Sequence, residues 1–410
     1  MFLKMVIERN PQLILEAARL HRDGVIEPNT YVLDIDSIYE NAKLINDTAA
    51  IYNVNLYYMT KQFGRNPIIS KTIEDAGIDK AVAVDFDEAK VLFDNGLKIG
   101  HVGHLVQIPQ KKIELFLLMK PEVITCFSYE KAKEISDKAR EVGITQDILL
   151  RVIDEGDVIY PGQNGGVYIE DLKNTVNQIL KLKNIRIAGI TSFPCFLYDY
   201  EKREIMATHN VYTLLKAKEI LHKIGVEIWQ ANGPSATCSS SIPLLNKYGI
   251  THGEPGHALL GTTPLHAYTK QPEKPAIVYV SEISHVNNGK AYCYGGGFYP
   301  RSNVKYALVS NNPEDILDII FDVEELPPES IDYYGTILLN NKNINVGDTV
   351  IYSFRTQIFV TRAKVALLEG LSSGKPKLTY IFDSRGNLLK DLNMIQERRA
   401  INESYNSCYR

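Results

Sequence analysis

Residues 122–143 read EVITCFSYEKAKEISDKAREVG, a short apolar run followed by a charged stretch with helical spacing. The run EVITCF is rich in β-branched residues, which favours a buried strand. In the following stretch the apolar positions recur every three or four residues, as on one face of a helix. The same alternation recurs along the first two thirds of the chain, and it predicts an α/β fold with a parallel sheet.

We predict eight strands in this part of the chain. They are residues 55–60, 80–84, 99–102, 122–127, 148–153, 185–191, 227–231 and 249–253. Eight strands that are each followed by a helix match a (β/α)8 barrel of the TIM type, although a doubly wound parallel sheet would show the same alternation. We favour the barrel.

The pattern changes after QPEKP at 271–275. Beyond it, short apolar runs such as AIVYVSEI (276–283) and KAYCY (290–294) are separated by Gly, Asn and Pro turns, with little helical spacing. This pattern predicts an all-β domain. We therefore divide the chain into a helical lead-in at 1–27, a barrel domain at 28–270, a β domain at 271–385 and a polar tail at 386–410.

Composition excludes several classes of protein. The 410 residues carry 45 Lys and Arg against 49 Asp and Glu, so no excess of positive charge is present to hold a nucleic acid. No apolar run approaches the roughly 18 residues of a membrane span, and the first residues do not resemble a signal peptide, so we expect a cytoplasmic protein without a membrane partner. The five cysteines are widely spaced, which argues against a disulfide framework or a zinc site.

Lys61 is the first candidate for chemistry, because it follows the first predicted strand. Catalytic groups of such barrels project from the carboxyl ends of the strands, and a lysine there can form an imine with a carbonyl group. A surface lysine that merely closes a strand is the alternative.

Two loops after the seventh and eighth strands have the composition of phosphate-binding loops. The first, at 232–239, reads NGPSATCS and offers Ser235 and Thr237; the second, at 253–257, reads GEPGH. Each alone is as well explained as a capping turn, but barrels often hold phosphate after strands 7 and 8. A lysine opposite a phosphate site indicates pyridoxal 5′-phosphate (PLP).

The order of several motifs then resembles the fold-type III PLP enzymes, which include the alanine racemase family. The motifs are DIDSIYEN (34–41), TKQFG (60–64), GITSF (189–193), ANGPSAT (231–237), EPGHALLG (254–261) and YGGGF (294–298). The resemblance runs from about residue 28 to 385. It is greatest to a racemase-like branch with the signatures MTKQFGRNP and HGEPGHAL.

The resemblance implies a role for each matching residue. Lys61 falls at the Schiff-base lysine, which also serves as one catalytic base. Ser235, Thr237 and the backbone amides of Gly256 and His257 fall where the family holds the phosphate. Tyr294 resembles the second catalytic base, which reaches the site from the other protomer, and this implies a homodimer.

Three positions depart from the pattern of alanine racemase. Glu254 stands where the racemase has an arginine facing the pyridine nitrogen, and its EPG motif resembles the basic amino-acid decarboxylases instead. Ser192 replaces a histidine stacked on the cofactor ring, so Phe193 or His104 would have to serve. Phe354 replaces a phosphate-binding tyrosine, with Arg355 as a replacement donor.

Other polar residues are weaker candidates. Arg151, with the loop at 162–166, would neutralise the substrate carboxylate or fix the phenolic oxygen of the cofactor. His101 and His104 follow the third strand and are expected at the mouth of the barrel. Candidates for the substrate pocket in the β domain are Arg301, Asp332 and Tyr333. The His-x-Cys pair that holds a metal in the D-threonine aldolase branch is missing, so we expect no metal.

The sequence thus favours a PLP-dependent amino-acid racemase that uses Lys61 and Tyr294 as opposed bases on a small-molecule amino acid. A PLP-dependent decarboxylase and a non-catalytic PLP-binding protein are the alternatives. The sequence does not identify the amino acid.

Overall fold

The computed structural model describes residues 1–295, 302–325, 327 and 331–393. The chain forms two compact units. One comprises residues 41–61 and 70–259, and the other comprises residues 1–40, 62–69 and the described part of 260–410.

The first unit is a barrel of parallel strands. They are Asn55–Leu56 continued by Tyr58–Met59, then Ala81–Val82, Ile99–Val102, Val123–Cys126, Gln146–Ile153, Ile185–Thr191, Gln230–Asn232 and His252–Gly253. Each pairs with the next along the chain, and the last pairs with Asn55–Leu56 while Tyr58–Met59 pairs with Ala81–Val82. Because Tyr57 alone separates those two segments, the sheet closes on itself. The predicted barrel is confirmed.

Helices connect the strands. They are Pro67–Asp75, Phe86–Asp94, Ile113–Leu118, Tyr129–Val142, Ile169–Ile179, His209–Lys223 and Ile242–Lys247. Tyr129–Val142 covers the stretch quoted first, and it begins where the hydroxyl of Ser128 accepts a hydrogen bond from the amide of Lys131. In the described part of the chain, no helix has the length and apolar character needed to cross a membrane.

The second unit contains a sheet that is antiparallel at all but one of its pairings among the described residues. In order across the sheet its strands are Lys290–Tyr294, Tyr334–Leu338, Ile320–Val323, Tyr306–Ser310, Thr349–Tyr352, Ile277–Asn287, Thr30–Asp34, Lys364–Glu369, Lys377–Asp383 and Leu388–Asp391. Lys290–Tyr294 also pairs with Ile277–Asn287, so the first six strands close into a small barrel. The C-terminal β domain is confirmed.

Two strands of this sheet come from segments that the sequence pattern assigned elsewhere. Thr30–Asp34, assigned to the barrel domain, pairs with Ile277–Asn287 and runs parallel to Lys364–Glu369. Leu388–Asp391, assigned to the tail, pairs with Lys377–Asp383. An apolar run predicts a strand but not its partner, and for this reason the sequence did not place these two segments in the sheet.

The N-terminal helices Phe2–Arg9 and Pro11–Arg22 belong to the second unit and share its core. Leu13 and Ile14 are fully buried in one cluster with Val278 and Ile351 of the sheet. The next helix is Ile35–Ile51. Asp34 caps it, because the Asp34 carboxylate accepts the amide of Ser37 at 3.2 Å.

Candidate active site

Polar side chains gather at the carboxyl ends of the barrel strands, a rim that we call the mouth. Lys61 follows the first strand, His101 lies in the third and His104 follows it, Thr125 lies in the fourth, Arg151 in the fifth, Asn232 in the seventh, and Glu254 follows the eighth. All of them belong to the barrel unit. Because parallel strands end at one rim, residues far apart in sequence meet there.

Glu254 is held by side chains from two other barrel strands, the third and the seventh. Its Oε1 atom accepts hydrogen bonds from Nδ1 of His101 at 2.7 Å and from the amide of Asn232 at 2.7 Å. Nε2 of His101 lies 2.5 Å from the hydroxyl of Thr125. If Nδ1 carries the hydrogen that Glu254 accepts, Nε2 can accept the hydroxyl hydrogen of Thr125.

The second oxygen of Glu254 has no hydrogen-bond partner among the described residues, although it is buried. Burial raises the pKa of Glu254, but the charge that His104 carries when it is protonated, together with His101 and the amide of Asn232, outweighs this effect and lowers the pKa to about 2. The side chain is therefore a carboxylate with one fixed oxygen and one oxygen available to a ligand.

His104 lies beside this cluster and is 1% exposed. Its ring centre is 5.1 Å from that of His101 and 5.5 Å from that of Phe193, which meets it edge to face. Neither ring nitrogen has a hydrogen-bond partner within the part of the chain that the structure describes. Burial lowers the pKa of His104 to about 3, so the ring is neutral near pH 7.

Arg151 is a buried cation at the same rim. Its Nη2 donates to the carbonyl of Gln163 at 2.9 Å, and its guanidinium carbon lies 4.8 Å from the ring centre of Phe127. Nε is buried and has no acceptor among the described residues. A buried guanidinium whose Nε has no acceptor among the described residues is suited to an anionic ligand.

Lys61 begins the short helix Lys61–Phe63 directly after the first strand and is partly buried. Its charge acts on His104, as do the charges of Glu254 and Arg151. The lysine predicted at the mouth is thus in the same electrostatic cluster as the groups described above.

The two predicted phosphate loops are joined through Thr237. Its hydroxyl accepts the backbone amide of Glu254 at 3.0 Å and retains a hydrogen to donate. A Cβ on Gly253 would lie 2.9 Å from Cγ2 of Thr237, so glycine permits this close approach. Ser235 and Ala236 have positive φ angles of 100° and 54°, a strained backbone of the kind found at ligand-binding sites.

Gly256 and His257 follow on the other loop. The carbonyl of Pro255, directly before them, accepts the amide of Met59 at 2.8 Å, which ties this loop to the end of the first strand. His257 begins the short helix His257–Leu260.

The structure shows the contacts of Ser192 and Phe354, two of the positions that depart from the racemase pattern. The hydroxyl of Ser192 accepts a hydrogen bond from Asn210 at 3.1 Å, and the neighbouring Phe193 packs against His104. In the other unit Phe354 is buried beside the rings of Tyr31 and Tyr279. The backbone amide of Arg355 donates to the carbonyl of Ser302.

Tyr294 belongs to the second unit, at the end of the strand Lys290–Tyr294, and is 41% exposed. It lines a pocket of about 320 Å³ together with Tyr333, Tyr334 and Arg362. Asp332, another predicted pocket residue, contacts Arg362. Arg301 lies outside the described residues.

Two residues of the mouth carry roles that the sequence did not reveal. Asn232 was predicted only as the start of a loop, and His101 was not linked to Glu254. The only signal in the sequence was a polar residue in an otherwise apolar barrel strand, and such a residue does not reveal which side chain it bonds to.

Most of the chain matches known protein families. Residues 33–264 match the family described as alanine racemase, N-terminal domain, and residues 278–378 match the YhfX-like C-terminal domain. The chain belongs to the fold-type III family of PLP enzymes. The protein YhfX of Escherichia coli (strain K12), described as uncharacterized, is 42% identical over 389 residues, which cover 95% of this chain and 100% of YhfX.

Solved fold-type III structures share the fold. D-threonine aldolase from Filomicrobium marinum has a TM-score of 0.63 at 15% identity, covering 88% of this chain and 95% of its own. An alanine racemase of Clostridium difficile 630 has a TM-score of 0.59 at 17% identity, covering 88% of this chain and 99% of its own. D-threo-3-hydroxyaspartate dehydratase from Delftia sp. HT23 has a TM-score of 0.63 at 14% identity, covering 86% of this chain and 97% of its own. These names describe three different reactions, so the fold-type III fold does not by itself identify the reaction.

Proposed function

We propose that this fold-type III protein is a PLP-dependent amino-acid racemase. The observation that carries the proposal is a set of buried polar atoms around Lys61 that lack partners among the described residues. They are Oε2 of Glu254, both ring nitrogens of His104 and Nε of Arg151. Buried polar groups are nearly always hydrogen-bonded, so a cluster of buried atoms without partners among the described residues at one rim indicates a ligand site.

The residues present fit PLP. Glu254 would face the pyridine nitrogen, and Arg151 would face the phenolic oxygen of the cofactor or the substrate carboxylate. Ser235, Thr237 and the backbone of Gly256 and His257 would hold the phosphate, and His104 would contact the ring. PLP, when bound, supplies an electron sink that acidifies the α-proton of an attached amino acid.

Lys61 would hold the cofactor covalently through Nζ and would then move the α-proton on one face of the substrate. Glu254 would keep the pyridine nitrogen protonated, because a carboxylate with a lowered pKa favours a positive charge beside it. The two hydrogen bonds from His101 and Asn232, which we call the Glu254 clamp, fix the carboxylate for this role.

Inversion at Cα requires a second proton carrier on the opposite face. We propose Tyr294 of the partner subunit in a homodimer, since Tyr294 is exposed and lies at the end of its strand. Amino-acid decarboxylation is the second candidate function, because a carboxylate at Glu254 suits any reaction that places negative charge on Cα.

The test is to incubate the protein with PLP and single enantiomers of amino acids in D2O. NMR would follow deuterium at Cα, and chiral chromatography would follow configuration. We expect deuterium in both enantiomers together with interconversion. Release of CO2 with an amine product would indicate a decarboxylase. Tight PLP binding without any change in the amino acids would indicate a binding protein.

Subunit complementation tests the role of Tyr294. We expect Lys61→Ala and Tyr294→Phe to be inactive separately but to regain about a quarter of wild-type activity when mixed and allowed to exchange subunits. Random pairing makes about half of the dimers mixed, and each mixed dimer has one intact site. A mixture that stays inactive, despite subunit exchange shown by mass spectrometry, would place the second base in the same chain as Lys61.

A further inference from the structure

The pocket beside Tyr294 has features of a ligand site in its own right. It has a volume of about 320 Å³ and is lined by Asn29, Tyr294, Gly295, Tyr333, Tyr334 and Arg362. The three tyrosine side chains are between 41% and 63% exposed. Exposed tyrosines that surround one concavity present both apolar surface and hydroxyl donors to a ligand.

The floor of this pocket is held rigidly. Gly295 has a φ of +66°, and a Cβ at this position would lie 2.7 Å from the hydroxyl of Tyr279. Glycine is therefore the residue that fits here without a steric clash. The hydroxyl of Tyr279 donates to Oδ1 of Asn29 at 2.8 Å. The NH2 group of Asn29 can donate a hydrogen bond to a ligand.

Arg362 gives the pocket its charge. Its Nη2 donates to the backbone carbonyl of Asp332 at 2.6 Å, whereas Nε lies 3.4 Å from the carboxylate of the same residue. The charged contact is long and single, so Asp332 neutralises the guanidinium less than a bidentate pair would. None of the described residues that line the pocket is acidic.

We infer that this pocket binds the side-chain carboxylate of an acidic amino acid, so that the substrate is of the aspartate or glutamate class. The inference rests on the proposed function. If Tyr294 acts at Cα, the residues next to Tyr294 face the substrate's side chain. Arg362 would pair with its carboxylate, and Asn29 and the tyrosine hydroxyls would donate hydrogen bonds.

The same charges discriminate against other amino acids. A lysine or ornithine side chain would place a second cation beside Arg362, and alanine would leave the guanidinium without its ligand.

The test compares aspartate, glutamate, alanine and lysine, each as both enantiomers, in the α-proton exchange assay. We expect kcat/KM for aspartate or glutamate to exceed that for alanine and lysine by at least about 30-fold. Arg362→Gln should raise KM for the acidic substrate by about 10- to 100-fold with a smaller change in kcat. Arg362→Lys should restore part of the loss, and Arg362→Glu should shift the preference towards lysine.

Arg186→Gln is the matched control, because Arg186 is an exposed arginine in a two-bond pair with Asp147 in the barrel unit. It should change neither KM nor the order of preference. Equal rates with acidic and neutral amino acids, or an unchanged KM in Arg362→Gln, would overturn this inference and leave the proposed function standing. Absence of exchange with every amino acid would instead refute the proposed function, on which this inference rests.

Discussion

Replacing Lys61 by alanine is expected to remove the covalent link to PLP and to lower α-proton exchange by at least about a thousandfold. A covalent anchor that also moves the proton contributes twice to the reaction, and the loss of such a group usually costs several powers of ten. Lys61 lies directly after the first barrel strand, within the cluster of Glu254, His104 and Arg151. The measurement is mass spectrometry after borohydride reduction, alongside the exchange assay.

The control for Lys61→Ala is Lys71→Ala. Lys71 lies on the next helix, where it is exposed and paired with Asp75 at 2.8 Å. We expect this variant to keep both the reducible PLP link and the wild-type exchange rate. A borohydride-fixed adduct that persists in Lys61→Ala would assign the cofactor to another lysine, and the peptide that carries it would identify the true site.

The sequence predicted the barrel and most of the mouth for a physical reason. Parallel strands that are buried on both faces read as continuous apolar runs, so the sequence pattern revealed all eight strands. Because all strands of the barrel end at the same rim, the residue that follows each strand lies at that rim. Lys61, His104, Arg151 and Glu254 were therefore predictable at one end of the barrel from the amino-acid sequence alone.

Contacts between distant strands were not predictable in the same way. His101 and Glu254 are 153 residues apart, and Asn232 joins them from a third strand. Nothing local in the sequence pairs them, because the pairing follows from closure of the sheet. The strand Thr30–Asp34 was misplaced for the same reason.

The pocket beside Tyr294 shows a third limit. Tyr333 and Asp332 were candidates for the substrate pocket, but Arg362 was not, since it lies 30 residues after Asp332, just before the strand Lys364–Glu369. An arginine in such a connecting segment normally indicates an exposed surface residue. Only the fold brings its guanidinium to the backbone of Asp332.

Glu254→Gln is expected to slow α-proton exchange by about 30- to 1,000-fold while leaving PLP bound. The glutamine oxygen can still accept the hydrogen bonds from His101 and Asn232, so the clamp survives. The amide nitrogen then takes the place of Oε2 and offers a donor where the carboxylate offered an acceptor. A donor beside the pyridine nitrogen favours the unprotonated ring, and removal of one preorganised electrostatic partner costs about 2 to 4 kcal/mol.

The matched control is Glu122→Gln, at the amino end of the fourth strand, where Glu122 pairs with Lys80 at 2.8 Å. It removes a partly buried carboxylate from the same barrel but from the opposite rim, so we expect PLP affinity and exchange rate to stay near wild type. Equilibrium dialysis against PLP separates a binding defect from a chemical one in both variants. If Glu254→Gln keeps its exchange rate within about threefold of wild type, Glu254 is a structural residue of the turn, and its buried free oxygen serves another ligand. If PLP is lost as well, the carboxylate holds the cofactor rather than tuning it, because the phosphate loops and Lys61 are intact in that variant.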